Sequence, residues 1–467
     1  MFDLINYGAR PCLEGDGHVL SYIDLHHAVE AMRPRLAERK LILCLCENSV
    51  PALVGYVGFM VHDQVAILVD AGQKASAVQR IVEDHGPDYA WLPEARVEEL
   101  QGGEVLHRVG HYVLVRMPVT AHQATPLHPD LQLLLTTSGS TGSSKFVRVS
   151  RRNLEANATS IISYLGINRD DVAVTTLPFS YSFGLSIINT HLLAGASIQV
   201  TELTPLSREF WALVEQKRVT SLSGVPYTYD MLRRIKFERF QLDAIRYLAQ
   251  AGGKMSEEGL AYLARVSREK SWPSFVMYGQ TEATARMSYL PPHRLEQKSG
   301  SIGHAIPGGR FEIVGEAGEV LDSPHEKGEL VYYGPNVAMG YAVAREDLAR
   351  GDDWNGRLPT GDVAYRDEDG CYTIAGRLKR FVKLFGNRVS LDEVEALLQA
   401  EFAQVEFICF GQDDGLRIAY VGDIVESELV AFASRQLSIH RSAIKCVFLP
   451  EIPRLSNGKV NYNALKQ

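Results

Sequence analysis

Thr136–Lys145 reads TTSGSTGSSK, set between the apolar run Leu131–Leu135 and the strand-like Phe146–Val149. A strand that breaks into serine, threonine and glycine and closes on a lysine has the make-up of a phosphate cradle. Small residues let backbone N–H groups approach phosphate oxygens, and the lysine adds a compact positive charge. The spacing over Gly139, Gly142 and Lys145 is G-x-x-G-x-x-K, not the G-x-x-x-x-G-K-[ST] of the common nucleotide loop. Taken alone, the same stretch also reads as a mobile Ser/Gly turn.

Outward from this segment the chain alternates helix-like and strand-like runs, which predicts an α/β protein. Ser21 with Asp24 forms a capping-box pattern ahead of Leu25, Val29 and Met32 at helical spacing. Leu41–Cys46 and Val65–Val69 read as buried strands on either side of a helix over Pro51–Val61, the alternation of a parallel sheet. From Gly300 to Thr373 short strands and glycine turns predict a β-rich subdomain. Beyond Gly376, Ser390 with Glu393 gives a second capping-box pattern, and Leu391, Val394, Leu397 and Leu398 are placed on one helical face. Phe407–Phe410 and Leu416–Val421 flank a hairpin signal at Asp414–Gly415, and Glu426–Leu437 reads as a helix. The expected organisation is a large α/β domain of mixed sheets over residues 1–378 and a small α+β domain over 379–467.

Four further segments accompany the first: Tyr278–Glu282 (YGQTE), Thr360–Asp362 (TGD), Gly376–Lys383 (GRLKRFVK) and Ser456–Lys459 (SNGK). In this order and at these separations, from about Ser21 to the end, they resemble the adenylate-forming superfamily of acyl-CoA synthetases, peptide-synthetase adenylation domains and luciferases. Supporting stretches are Gly300–Gly309 (GSIGHAIPGG), Lys327–Tyr341 (KGELVYYGPNVAMGY) and Gly386–Glu395 (GNRVSLDEVE).

The resemblance implies an AMP-forming acid–thiol ligase. A carboxylate joins the α-phosphate of ATP, pyrophosphate leaves, and the acyl group passes to the thiol of CoA or of carrier-protein phosphopantetheine. It further implies that Thr137, Ser138, Gly139, Ser140, Thr141, Gly142 and Lys145 grip the β- and γ-phosphates. Glu282 would hold Mg²⁺, which favours one or two carboxylates plus phosphates. Thr281 would donate to the α-phosphate, and Tyr278 with Gly279 would stack on adenine beside Gly252 and Gly253. Asp362 would accept the ribose hydroxyls with Arg377 nearby, and Lys459 would bridge the substrate carboxylate and the α-phosphate. In the family the C-terminal domain rotates about a hinge matched by Lys379, while Lys383 and Gly386 match the stretch lining the thiol approach.

Composition is consistent with this and excludes other classes. The chain has 467 residues, 46% hydrophobic and 22% charged, which rules out a disordered, collagenous or coiled-coil protein. A formal charge of −8 argues against a nucleic-acid or anionic-membrane binder. Met1–Tyr22 has no basic segment followed by an apolar one, and the apolar run Ala52–Val61 stops at His62 and Asp63, well short of the roughly 20 residues a membrane helix needs. The six cysteines form no CxxC pair. A cytoplasmic enzyme with no membrane insertion is expected.

Aligning Ser180–Ile187 with the amino-acid-binding segment of peptide synthetases puts Gly184 where an aspartate would face the α-ammonium. No Asp or Glu lies between Asp171 and Glu202, so an α-amino acid is disfavoured. The acid pocket is expected from Phe179–Leu185, Val225–Tyr229, Met277, Ala283 and Thr284, and their apolar character points to a small uncharged aliphatic or aromatic acid. The chain ends soon after Lys459, so the thiol is expected from free CoA or a separate acyl carrier protein. A non-catalytic nucleotide-binding homologue is the competing reading, which intact Lys145, Glu282, Asp362, Arg377 and Lys459 oppose. Arg148, Arg151 and Arg152 read either as phosphate-steering groups or as a solvated charge run. Cys44 and Cys46 read as core, and His26 with His27 as surface residues.

Overall fold

Every residue of Leu41–Cys46 (LILCLC) is apolar, and in a computed structural model of the protein all six are buried, as a strand covered on both faces requires. The structure describes the chain except residues 37, 101, 120, 137–144, 379, 385–386, 413–414, 438, 456–457 and 466–467, and the side chains of 121, 381, 383, 387, 388, 412 and 463. It divides into two compact units: Met1–Arg310 with Tyr333–Leu358, and Phe311–Tyr332 with Pro359–Gln467.

In the first unit Leu41–Cys46 lies parallel to Val65–Asp70 and Tyr89–Pro93, because the helices Val50–Val61 and Ala75–His85 carry the chain back across the sheet each time. Leu131–Thr136 continues the parallel set beside Val65–Asp70. Antiparallel strands finish both edges, with Phe146–Ser150 and Gly340–Ala342 on one side and Tyr112–Arg116 and Glu104–Val109 on the other, eight strands in all. A five-stranded sheet is built in the same way. Ser221–Gly224, Tyr247–Gln250 and Ser274–Tyr278 are parallel, linked by the helices Pro226–Ile235 and Glu257–Lys270, and Ser288–Leu290 and His304–Ala305 return antiparallel. A four-stranded sheet of Val172–Val174, Ser197–Gln199, Pro11–Gly15 and His18–Ser21 completes the unit.

The second unit holds a four-stranded sheet in the order Arg310–Val314, Gly328–Tyr333, Arg357–Arg366, Tyr372–Arg377. A hairpin of Phe381–Leu384 with Asn387–Ser390 follows, then a three-stranded sheet of Glu406–Gln412, Gly415–Val421 and Ile444–Phe448. The helices Leu391–Glu401 and Glu426–Leu437 bury Val394, Leu398, Leu429 and Phe432 in its core. The α/β architecture with a β-rich stretch and an α+β end is thus present. Among the described residues no helix is long and apolar enough to cross a membrane.

Local signals translate into structure with two departures. Ser21 and Asp24 make both reciprocal bonds of a capping box. Ser390 caps its helix by accepting from the Glu393 N–H, but the return bond from Glu393 is absent, and Leu397 stands 42% exposed while Leu391, Val394 and Leu398 are buried. Cys44 and Cys46 are buried in the core, His26 is half-buried and His27 exposed.

Arg148 corrects the reading of the basic run. Its side chain is fully buried and neither steers phosphate nor meets solvent. Nε donates to Tyr341 O (3.1 Å), Nη1 to Arg350 O (2.6 Å) and Gly351 O (3.0 Å), and Nη2 to Met339 O (2.8 Å) and Asp353 Oδ2 (2.5 Å). All five guanidinium N–H groups are spent on pinning the edge strand that carries Tyr341. Arg151 likewise serves structure, donating to Met60 O and Gln132 Oε1, and Arg152 is exposed.

Candidate active site

In open α/β sheets, ligands are received beyond the carboxyl ends of the strands, and three strands of the first unit end at candidate residues. Ser274–Tyr278 runs into Gly279, Gln280 and the single turn Thr281–Ala283 before the chain returns with Tyr278 opposite Ser288. Gly279 has to be glycine: a Cβ there would lie 1.7 Å from Ala285 O and 2.8 Å from Arg286 Cα. The turn leaves Thr284 at φ +60° and Ala285 at φ +111°, backbone that non-glycine residues adopt only when their surroundings force it. The forcing contacts come from Asn336 and Ala338. Thr284 Oγ1 donates to Asn336 O (2.5 Å), Asn336 Nδ2 donates to Ala283 O (2.8 Å) and Arg286 O (3.1 Å), and Ala338 N donates to Glu282 O (2.9 Å).

A carboxylate and a cation meet on Tyr341. Its hydroxyl donates to Glu282 Oε1 (2.9 Å), and Lys145 Nζ lies 3.5 Å from its ring centroid. Burial, together with the charge of Glu282 and this hydrogen bond, holds the Tyr341 phenol above its ordinary pKa, so it remains a donor at all working pH. Thr281 Oγ1 lies 3.2 Å from Ser182 Oγ, at the start of the helix Ser182–Ala194. Gly252 (φ +89°) gives room to Tyr181, whose Oη would be 2.7 Å from a Cβ, and Gly253 sits against Pro226. Tyr278 Oη accepts from Gln280 Nε2 (3.1 Å). One continuous arc therefore runs from Gly252 through Tyr181, Ser182, Thr281, Glu282 and Tyr341 to Lys145. Thr137, Ser138, Gly139, Ser140, Thr141 and Gly142 lie outside the described residues. Their segment leaves and rejoins the sheet at Thr136 and Phe146, which pair directly.

The second unit brings Asp362 and Arg377 together as cross-strand partners, with Arg377 Nε donating to Asp362 Oδ1 (3.0 Å). Asp362 is 2% exposed while most of Arg377 faces solvent. Asp362 N donates to Thr360 Oγ1, which donates to Leu330 O, fixing the TGD corner at Gly361 (φ +71°). Lys459 is half-buried in a turn closed by Leu455 N to Lys459 O (2.8 Å) and a bridge between Arg454 and Val460. Lys383 lies in the strand Phe381–Leu384, its side chain outside the described residues, as are Lys379 and Gly386 entirely. Arg380, in the same basic run, is structural, bonded to Asp392 and Glu395 and to Cys409 O.

The expected acid-pocket residues Phe179, Phe183, Leu185, Val225, Tyr229, Met277 and Ala283 are buried in the first unit. At Gly184 a Cβ would lie 2.2 Å from Pro178 O. No aspartate fits there. Sequence reading missed Arg286 altogether, and although Ser182 fell within the expected acid pocket and Asn336 and Tyr341 within the Lys327–Tyr341 stretch, it gave none of these three its contact with the Thr281–Arg286 segment.

Among the described residues no three or more His, Cys, Asp or Glu side chains gather to cage a metal. A magnesium ion at Glu282 would have one carboxylate and take its other ligands from phosphate and water, the way magnesium is ordinarily held. The donor set fits.

A family model described as AMP-binding enzyme matches residues 5–342. The chain is 26% identical to an oxalate–CoA ligase of Arabidopsis thaliana, over 73% of this chain and 68% of that one. It is 25% identical to 4-coumarate-CoA ligase 1 of Narcissus pseudonarcissus, over 98% and 90%. Its fold matches that of o-succinylbenzoate CoA synthetase from Bacillus subtilis, solved with an acyl-adenylate intermediate, with a TM-score of 0.79 at 23% identity over 99% of this chain and 97% of that one.

Proposed function

Since the chain belongs to the family of AMP-binding enzymes, we propose that it activates a small carboxylic acid as an acyl-adenylate, releases pyrophosphate and transfers the acyl group to a thiol. The observation that carries this reading is the arc that ends on Lys145 and Glu282, a cation and a hard anionic ligand held by one tyrosine, with Lys145 following directly in sequence on residues 137–144. In this reading Thr137, Ser138, Gly139, Ser140, Thr141, Gly142 and Lys145 receive the outer phosphates of ATP, and Thr281 donates to the α-phosphate. Glu282 holds Mg²⁺, which when bound offsets charge on the departing pyrophosphate. Tyr278 and Gly279, with Gly252 and Gly253, take the adenine, and Asp362 takes the ribose, oriented by its bond from Arg377.

Lys459 bridges the acid and the α-phosphate. Residues 379–467 form a mobile domain turning at Lys379, with Lys383 on the thiol path. The names of the relatives, which are CoA ligases, support CoA rather than a separate carrier protein as the acceptor, and a cytoplasmic setting suits both substrates. The acids in the relatives' names range from oxalate to 4-coumarate and do not choose a substrate.

Acid-dependent ATP–pyrophosphate exchange tests the activity. Exchange that needs both an acid and magnesium is expected, and exchange without any acid, or none across a broad acid panel, contradicts the reading. Tyr341→Phe removes the hydroxyl from Glu282 while keeping the ring under Lys145. It is expected to raise the magnesium and ATP concentrations giving half-maximal exchange by about tenfold to a hundredfold, the cost of one hydrogen bond to a charged group. Unchanged half-saturation would remove Tyr341 from the site.

A further inference from the structure

Arg286 is 2% exposed, yet its contacts are Tyr164 Oη (3.4 Å), Met277 Sδ (3.4 Å) and the ring of Phe183 (4.7 Å from its centroid). Among the described residues no carboxylate pairs with it. The other two buried arginines of this unit behave differently: Arg148 has Asp353 at 2.5 Å and Arg345 has Asp88 at 3.5 Å. A guanidinium taken out of water without a counter-ion is costly, and a ring face returns only part of that cost.

Unpartnered buried atoms belong to it and to residues near it in sequence or in the fold. Arg286 Nε, His191 Nε2, Asn157 Oδ1 and Ser288 Oγ all lack a hydrogen-bond partner. Asn157 Nδ2 is tied to Arg286 O (2.8 Å), Ser288 follows two residues later, and His191 is close enough to feel the charge of Arg286. His191 cannot supply a compensating charge. Burial pushes its pKa down to about 4, its Nδ1 donates to Ile187 O (2.8 Å), and it is neutral in working conditions. Unsatisfied buried groups in a native fold call for an explanation, such as a bound ligand or water, and these four belong to or lie near a guanidinium that no described carboxylate pairs with.

Its position says which ligand. The backbone of Arg286 packs on Gly279, at the root of the turn that carries Thr281 and Glu282. Its guanidinium lies on Phe183, next to Ser182, which touches Thr281. Phe183 and Met277 both belong to the expected acid pocket. We propose that Arg286 determines substrate specificity by pairing with a second carboxylate on the acid, so that the preferred substrate is a dicarboxylic acid rather than the uncharged one expected from the apolar lining. This rests on the adenylation reading above and replaces its unspecified acid with a defined class.

The test is ATP–pyrophosphate exchange by the full-length enzyme with malonate, succinate, glutarate, adipate and homophthalate, each beside its monomethyl ester. The same panel is run with Arg286→Met and Arg286→Lys. The wild type is expected to favour the best diacid over its ester by about a hundredfold in kcat/KM, chiefly through KM, the usual scale for stranding a buried charge. Arg286→Met is expected to bring that ratio to within about threefold of unity, and Arg286→Lys to keep an intermediate preference. The melting temperature of Arg286→Met without acid should equal or exceed that of the wild type, because an unpaired buried charge has been removed. A wild type indifferent to the second carboxylate, or an Arg286→Met that keeps the preference, overturns the proposal and leaves adenylation standing. Absence of exchange with every diacid and every ester, while other acids of a broad panel support it, overturns the proposal and leaves adenylation standing; absence with every acid overturns both.

Discussion

Lys459→Ala is expected to lower acid-dependent ATP–pyrophosphate exchange by about 10²–10³-fold, the scale found when one preorganised group facing developing charge is removed. Bringing a carboxylate against an α-phosphate sets two anions in contact, and a single ammonium between them offsets the repulsion while holding the attack geometry. Lysine suits this task as a point charge on a long stem. Lys459→Arg is expected to recover little, since a planar fork cannot take the same position as an ammonium. Lys459 sits in a tight turn bounded by Arg454 and Val460, so the substitution leaves the local backbone bonds intact. The melting temperature should stay within about 2 °C of wild type, as for a substitution that removes no core packing. The alanine variant should convert supplied acyl-AMP and thiol to thioester at close to the wild-type rate, because the lysine serves only the first half-reaction. Equal loss in both halves would contradict the role.

Arg148→Met should cost about 3–5 kcal/mol of stability, the range for breaking a buried charged network by removing one partner. Asp353 keeps a bond from Arg350 (2.8 Å), so it is not stranded. The carbonyls of Met339, Tyr341, Arg350 and Gly351 are what lose their donors, and buried acceptors without donors are expensive. The expected reading is a fall in melting temperature of roughly 5–10 °C. Because the released strand carries Tyr341, exchange activity per folded molecule should fall as well. Arg148→Lys should recover only part of the loss, having three donors where five are used. A melting temperature equal to that of wild type would show that the network contributes nothing.

What was legible in the sequence was what is local. Ser21 and Asp24 are three residues apart and cap a helix through one another. Leu41–Cys46 needed no partner to be read as a strand buried on both faces, and the Tyr278–Glu282 segment could be recognised by its residues alone. Arg148 was misread because its meaning lies in carbonyls and a carboxylate 191 to 205 residues further on, while a run of three nearby arginines resembles a solvated face. Tyr341 closed a supporting stretch, Lys327–Tyr341, but its role was missed for the same reason, since nothing near it in sequence says that its hydroxyl reaches Glu282. Arg286 follows the YGQTE segment by only a few residues, but its significance is a missing partner, and an absent counter-ion can be seen only once the surrounding side chains are in place. Leu397 failed differently: its apolar character suggested a core residue, but the helical angle turns it away from Leu391, Val394 and Leu398.

The central claim is that an oxygen of the acid attacks the α-phosphorus of ATP. It is tested most directly by supplying an acid labelled with ¹⁸O in its carboxylate, with ATP, Mg²⁺ and CoA, and weighing the nucleotide product. The account predicts AMP carrying one ¹⁸O atom and pyrophosphate carrying none. Unlabelled AMP, or label in ADP or inorganic phosphate, would contradict it.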